Sequence, residues 1–166
     1  MSKKKKEKRE SNKIILGLTP YKGELNKSLG ENAIINFEDG VPAFEEAKQF
    51  TLITNDDIKP FMYLKSLEIE ELGFVCIDPF LINKEYLIKI SAADLAKLQL
   101  KDPQNALVFC FVTVRPDPQE NTANLLAPVI INLENRKAKQ IILENYPVKF
   151  NIWEGLENDN EEAEEC

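Results

Sequence analysis

The chain breaks into many short apolar runs, none long enough for more than a strand, separated by turn-forming residues. The runs are Ile14–Leu18, Ala33–Phe37, Phe50–Thr54, Met62–Leu67, Phe74–Asp78, Tyr86–Ile90, Leu107–Val114, Val129–Leu133 and Gln140–Leu143. They are rich in Ile, Val, Phe and Tyr and alternate with period two or are apolar throughout, as half-buried and fully buried strands do. Gly40-Val41-Pro42, Asn55-Asp56-Asp57, Asp78-Pro79, Asp102-Pro103, Arg115-Pro116-Asp117-Pro118 and Glu134-Asn135 punctuate the gaps. Only two stretches read as helical. Ser91 is an N-cap for two turns carrying Leu95 and Leu98, with Asp94 as an imperfect capping box. Phe44–Gln49 is a possible single turn. This pattern predicts an all-β or mostly β domain, a small antiparallel barrel with one or two short helices.

At 166 residues with 43% apolar and 30% charged residues, the chain suits one globular domain with a real core. Charge divides it further. Residues 1–13 hold seven Lys/Arg and two Glu, and residues 154–166 hold seven Asp/Glu and no Lys or Arg. Both read as disordered tails, basic and acidic, around a single domain at 14–153. The basic tail could also act as a weak electrostatic arm. Pro128 cannot donate to a ladder, so its strand is expected at an edge or to carry a bulge.

Chemistry is narrowed mainly by what is missing. There is no histidine, so imidazole bases, Ser-His or Cys-His dyads and histidine metal ligands are excluded. No P-loop, dinucleotide fingerprint or zinc cysteine pair is present, and six glycines leave little for a phosphate-cradling loop. Asp56-Asp57 and the cluster Glu68, Glu70, Glu71 fall in polar turns and read as solvated carboxylates. Asn158–Glu162 lacks the spacing of a calcium loop. Asn26-Lys27-Ser28 fits a glycosylation sequon, idle in a cytosolic protein. Cys76 and Cys110 lie in apolar runs and Cys166 is the last residue, an odd count that reads as buried reduced thiols. The apolar stretch after the lysine-rich start is too short for a signal peptide, and no run approaches the ~20 residues of a membrane span. A non-enzymatic cytoplasmic protein is expected, with no cofactor. Its acidic body favours a basic partner over nucleic acid.

Three segments are more specific than strand material requires: Phe37–Glu45, Gly73–Phe80, and Asn121-Thr122-Ala123-Asn124-Leu125-Leu126-Ala127-Pro128-Val129-Ile130-Ile131-Asn132. Together with Pro60–Leu67 and Gln140–Leu143, in this order, they resemble the flagellar assembly factor family (FliW), from about Ile14 to Tyr146. The chain departs from that pattern at Ala43 and Ala138, where the family has Gly, at Lys65, where it has Gln, and at Lys149-Phe150, where it tends to Arg-His. The resemblance implies a small barrel-like protein without enzymatic activity. It implies two protein partners: flagellin, and the carbon storage regulator (CsrA), an RNA-binding dimer that represses flagellin translation. A free factor would bind the regulator and relieve repression, and accumulated flagellin would occupy the factor. No direct nucleic-acid or membrane contact is implied, and the free protein is expected to be a monomer.

The residues expected at a partner-binding rim are Val41 and Phe44 as apolar anchors beside a turn, and Glu68, Glu70 and Glu71 for charge. Asp78 and Phe80 join them because they leave a buried strand together, and Asn121 and Asn124 because their corner is unusually polar. Bound beside an RNA site, the Glu68/Glu70/Glu71 charge would repel phosphates; as the plainer alternative, the cluster only solubilises a loop. Two other readings remain open, a nucleic-acid-binding barrel resembling an OB-fold and a structural interaction module. The first requires exposed aromatics among Lys/Arg, whereas Phe61, Tyr63, Phe74, Phe109 and Phe111 sit among apolar or acidic neighbours.

Overall fold

The computed structural model describes Leu18, Tyr21 and residues 29–165. The basic segment 1–13, the run Ile14–Leu18 except for Leu18, the sequon at Asn26 and Cys166 lie outside the described residues. Among the described residues, nine strands form one sheet: β1 (Ile35–Phe37), β2 (Gln49–Ile53), β3 (Phe61–Ser66), β4 (Gly73–Ile77), β5 (Ala106–Thr113), β6 (Thr122–Ala123), β7 (Val129–Asn132), β8 (Lys137–Gln140) and β9 (Phe150–Asn151). Their order is β4-β3-β2-β1-β8-β7-β5-β6-β9, and a further β4–β5 pairing closes the first seven into a barrel. The expected mostly-β barrel is therefore present, and one of the two expected helical stretches, after Ser91, is a helix. Among the described residues every strand pairing is antiparallel except β1 with β8, where Asn36 lies opposite Lys137.

Closure explains the fully apolar runs. One buried cluster draws Ile35, Phe37, Phe50, Leu64, Cys76, Phe109 and Ile131 from the strands of the barrel and fills its lumen. A second cluster lies outside β5 and β7, where Val108, Cys110 and Ile130 meet Ile82, Tyr86, Ile88, Ile90 and Leu98. Strands β5 and β7 are thus buried on both faces, while β2–β4 keep an open outer face on which Ile53 is 41% exposed. Helix α1 (Ala92–Leu98) lies against β8, held by Lys139–Asp94 and Lys97–Asp39 ion pairs. Ser91 caps it as expected, accepting a hydrogen bond from the Asp94 N–H at 3.2 Å.

Five expectations are corrected. Tyr86–Ile90 is extended but joins no ladder. Its alternation reflects Tyr86, Ile88 and Ile90 packing on the outside of the barrel with Leu87 and Lys89 outward. Gln140–Leu143 is a strand only as far as Gln140. Phe44–Gln49 makes no helical turn: Phe44 and Ala47 N–H groups close tight turns onto Val41 and Phe44 carbonyls before β2 begins. Pro128 marks neither an edge nor a bulge. It precedes the first residue of the interior strand β7, where no N–H is needed, and its carbonyl accepts from Ile141 at 2.9 Å. Finally, the acidic stretch read as a disordered tail is helical, as α2 (Ile152–Glu165).

Ala43 has φ +73°. That left-handed conformation suits glycine, the residue the family pattern carries there, and strains alanine by about 1–2 kcal/mol. Ala43→Gly should stabilise the protein by about 0.5–1 kcal/mol after the greater freedom of glycine in the unfolded chain is subtracted. The check is a higher urea midpoint at unchanged slope.

Candidate protein-binding rim

The nine expected site residues fall in three places: the β3–β4 turn with the 38–48 loop, the exit of β4, and the segment between β5 and β7. The first, at one end of β4, is the β3–β4 turn with the 38–48 loop. Ser66, buried at the exit of β3, accepts hydrogen bonds at its Oγ from the N–H groups of Glu68 (3.2 Å) and Ile69 (3.0 Å), which shapes the turn. Glu68 then reaches sideways, and its Oε1 accepts from the N–H groups of Lys48 and Gln49, both at 2.7 Å. These two bonds hold its carboxyl below the usual range. Glu68 therefore staples the turn to the start of β2. Glu70 and Glu71, by contrast, project from the tip into solvent.

Val41 is not a surface anchor. It is 2% exposed and belongs to the lumen cluster. Phe44 is 38% exposed, its ring edge-on to Phe74 at 5.8 Å. Phe74 in turn stacks on Phe111 at 4.5 Å, so Phe44 sits on a rigid aromatic ladder. This end also displays Leu67, 48% exposed, with Glu45 and Glu46 in solvent. Sequence reasoning passed over these three. Leu67 ends an apolar run and reads as strand, and Glu45 and Glu46 sit in a stretch taken for a helical turn. Phe44 and Leu67 are thus exposed apolar residues of these two loops, and Glu45, Glu46, Glu70 and Glu71 are exposed acidic ones, with Lys48 and Lys65 also exposed.

At the exit of β4 and in the segment between β5 and β7 the polar residues hold corners together. Asp78 Oδ1 accepts from the Phe80 N–H at 2.9 Å and caps the 3-10 turn Pro79–Leu81. Phe80 packs edge-on against Tyr86 at 5.9 Å. Asn121, 9% exposed, accepts from the Arg115 N–H at 2.7 Å, and its carbonyl receives the Ile152 N–H. Asn124 accepts from the Ala127 N–H at 3.1 Å and donates its own N–H to Phe111. The Asn-Thr-Ala-Asn corner thus satisfies its own turn, as Asn side chains do.

Burial raises the Asp78 carboxyl above its ordinary 3.8. A raised carboxyl stabilises the fold most when protonated, so its contribution is lost as pH rises from 3.8 through the folded value. Asp78→Asn keeps the acceptor for Phe80 and removes the charge. Relative to the parent protein, the variant should gain stability as pH rises across that window and hold the gain at neutral pH. Urea unfolding at several pH values reads it, and a constant difference at every pH refutes it.

Cys76 and Cys110 are buried free thiols on neighbouring strands. One belongs to the lumen and the other to the outer layer, so they face away from each other. Burial pushes both up, Cys110 to about 12, which makes them poor nucleophiles. Among the described residues no three Cys, Asp or Glu converge to hold a metal ion, and no helix is long and apolar enough to cross a membrane.

Fold and surface together define a small closed β-barrel that carries exposed apolar side chains and acidic turns on its surface. Comparison with known proteins places it more narrowly. Residues 19–152 match the FliW protein family. The chain is 40% identical over 129 residues to the flagellar assembly factor FliW of Thermosipho africanus, spanning 76% of this chain and 89% of that protein. It is 38% identical over 141 residues to its counterpart in Caldicellulosiruptor bescii, spanning 84% and 91%. A crystal structure of the flagellar assembly factor FliW superposes with a TM-score of 0.66 at 33% identity, over 82% of this chain and 94% of that one. The chain belongs to the FliW family of flagellar assembly factors.

Proposed function

We propose that this protein is a non-enzymatic cytoplasmic factor that binds flagellin and the carbon storage regulator (CsrA) in alternation. Binding the regulator lifts its repression of flagellin translation, and accumulated flagellin restores it. The observation that carries this reading is family membership across the whole barrel. The surface supports it: the exposed Phe44 and Leu67 and the exposed Glu45, Glu46, Glu70 and Glu71 suit a basic partner with an apolar anchor. Of the expected site residues, Phe44, Glu70 and Glu71 are the ones with surface to offer. Glu68, Asp78, Asn121 and Asn124 act through the loops they pin, and Phe80 through the core it packs on.

Titration calorimetry of the purified protein against the regulator and against flagellin, at two salt concentrations, tests the reading. Sub-micromolar binding to each with mutual competition supports it, and no binding to either at both salts removes it. The double variant Glu70→Lys/Glu71→Lys leaves the Glu68 staple intact. It should weaken regulator binding about tenfold at low salt and less at high salt, as screened rim charges do. An unchanged affinity would take the rim out of the interface.

A further inference from the structure

Among the described side chains, helix α2 is seated by its first turn. Ile152 is 1% exposed, Gly155 is buried and Leu156 is half-buried. They occupy a groove made by Phe80, Ile82 and Phe150. The fit at Gly155 is close: a Cβ there would stand 2.5 Å from the Ile82 carbonyl oxygen and 2.9 Å from the Phe150 ring. Trp153 lies beside the groove, 45% exposed, its Nε1 donating to the Pro118 carbonyl at 2.8 Å.

Residues 157–165 contain six Asp/Glu, no Lys or Arg, and Ala163 as the single apolar residue. The spacing sets like charges three and four residues apart, as in Glu157–Glu161 and Glu161–Glu165, and concentrates them at the helix C-terminus, where the macrodipole disfavours anions. Almost all of this helix also lies past residue 152, where the family match ends.

We propose that α2 is an exchangeable occupant of the Phe80–Ile82–Phe150 groove. Its described packing is one apolar turn, and the sequence past that turn carries six like charges. The groove therefore admits, in its place, a partner helix with the spacing of Ile152, Gly155 and Leu156 (aliphatic-x-x-Gly-aliphatic) and without the acidic run.

Trp153 is the chain's one tryptophan and reports on α2 directly. Acrylamide quenching of the full chain is measured from about 0.01 to 1 M salt, over which the screening length falls from ~30 to ~3 Å. Self-repulsion predicts a quenching constant roughly twofold lower at high salt, as screened like charges let α2 seat. A helix held by ion pairs would loosen instead, and a permanently docked one would not respond; either result overturns the proposal. Gly155→Leu should be strongly quenched at every salt, with the circular dichroism of the barrel retained. A synthetic peptide of residues 150–165, with Trp153→Phe and each acidic residue after Leu156 replaced by Gln, should drive the full chain to the Gly155→Leu value; no change overturns the proposal. Should Gly155→Leu fail to fold, neutralising residues 157, 159, 161 and 162 gives an independent reading. That variant should be weakly quenched at all salts, and a persistent salt dependence refutes self-repulsion.

Discussion

Asn132→Ala is expected to cost about 2–3 kcal/mol, among the largest effects of any polar substitution in this chain. Asn132 is 1% exposed and ends β7. Its Nδ2 donates to the Leu98 carbonyl at 2.9 Å and the Gln99 carbonyl at 3.2 Å, the open end of α1, while its Oδ1 accepts from the Glu134 N–H at 3.0 Å. One side chain thus finishes a helix and starts a turn. Alanine leaves buried backbone groups without partners, which costs more than the bonds themselves contribute. Asn135 also donates to Leu98, so that carbonyl keeps one donor and the loss is bounded. Asn132→Asp should be worse than alanine, because it keeps the acceptor but sets a buried charge against two carbonyl oxygens. Thermal unfolding should fall by roughly 5–10 °C for alanine at this chain length, and an aspartate variant that melts with the parent would refute the account.

Gly40→Ala is expected to cost about 2–4 kcal/mol. Gly40 has φ +71° and turns the chain out of β1. A Cβ there would stand 2.4 Å from the Glu45 carbonyl oxygen and 2.6 Å from the Glu45 Cα. The left-handed backbone accounts for about 1–2 kcal/mol. The rest is displacement of the loop that carries Phe44. Asn tolerates positive φ, so Gly40→Asn separates the two causes: it should be nearly as damaging as alanine, because the clash is with backbone. Urea midpoints of the two variants decide it. Gly40 and Ala43, three residues apart, are thus opposite cases: one position that must be glycine and is, and one that would be better as glycine and is not.

The same physics explains what the sequence disclosed. Period-two patterning reports burial rather than pairing, so it located β2–β5 and β7 well and also produced a strand at Tyr86–Ile90, where a buried extended segment has no partner. Strands β6 and β9 have two residues each and carry no period. Helix α2 was missed because helical periodicity lasts one turn, Ile152 to Leu156, before the acidic run begins. At the candidate site, sequence could mark Glu68 as acidic but not that its carboxylate is spent on two backbone N–H groups from a segment twenty residues away. Val41 reads as an anchor because a Gly-Val-Pro turn normally lies at the surface; here the turn folds its valine into the lumen. The motif that best identified the family, ending in Asn132, is specific for a packing reason: its three asparagines each close a corner.

The parallel pairing of β1 with β8 has a consequence for synthesis. β1 leaves the ribosome about a hundred residues before the strand that covers its second edge. Until residue 137 is available, Ile35 and Phe37 line an open sheet with an unpaired border, the kind of surface that recruits other chains. A product truncated before that point has no smaller barrel to fall back on. Closure of the barrel therefore waits for β8, and chains terminated before it should be cleared or aggregate rather than persist as partial domains.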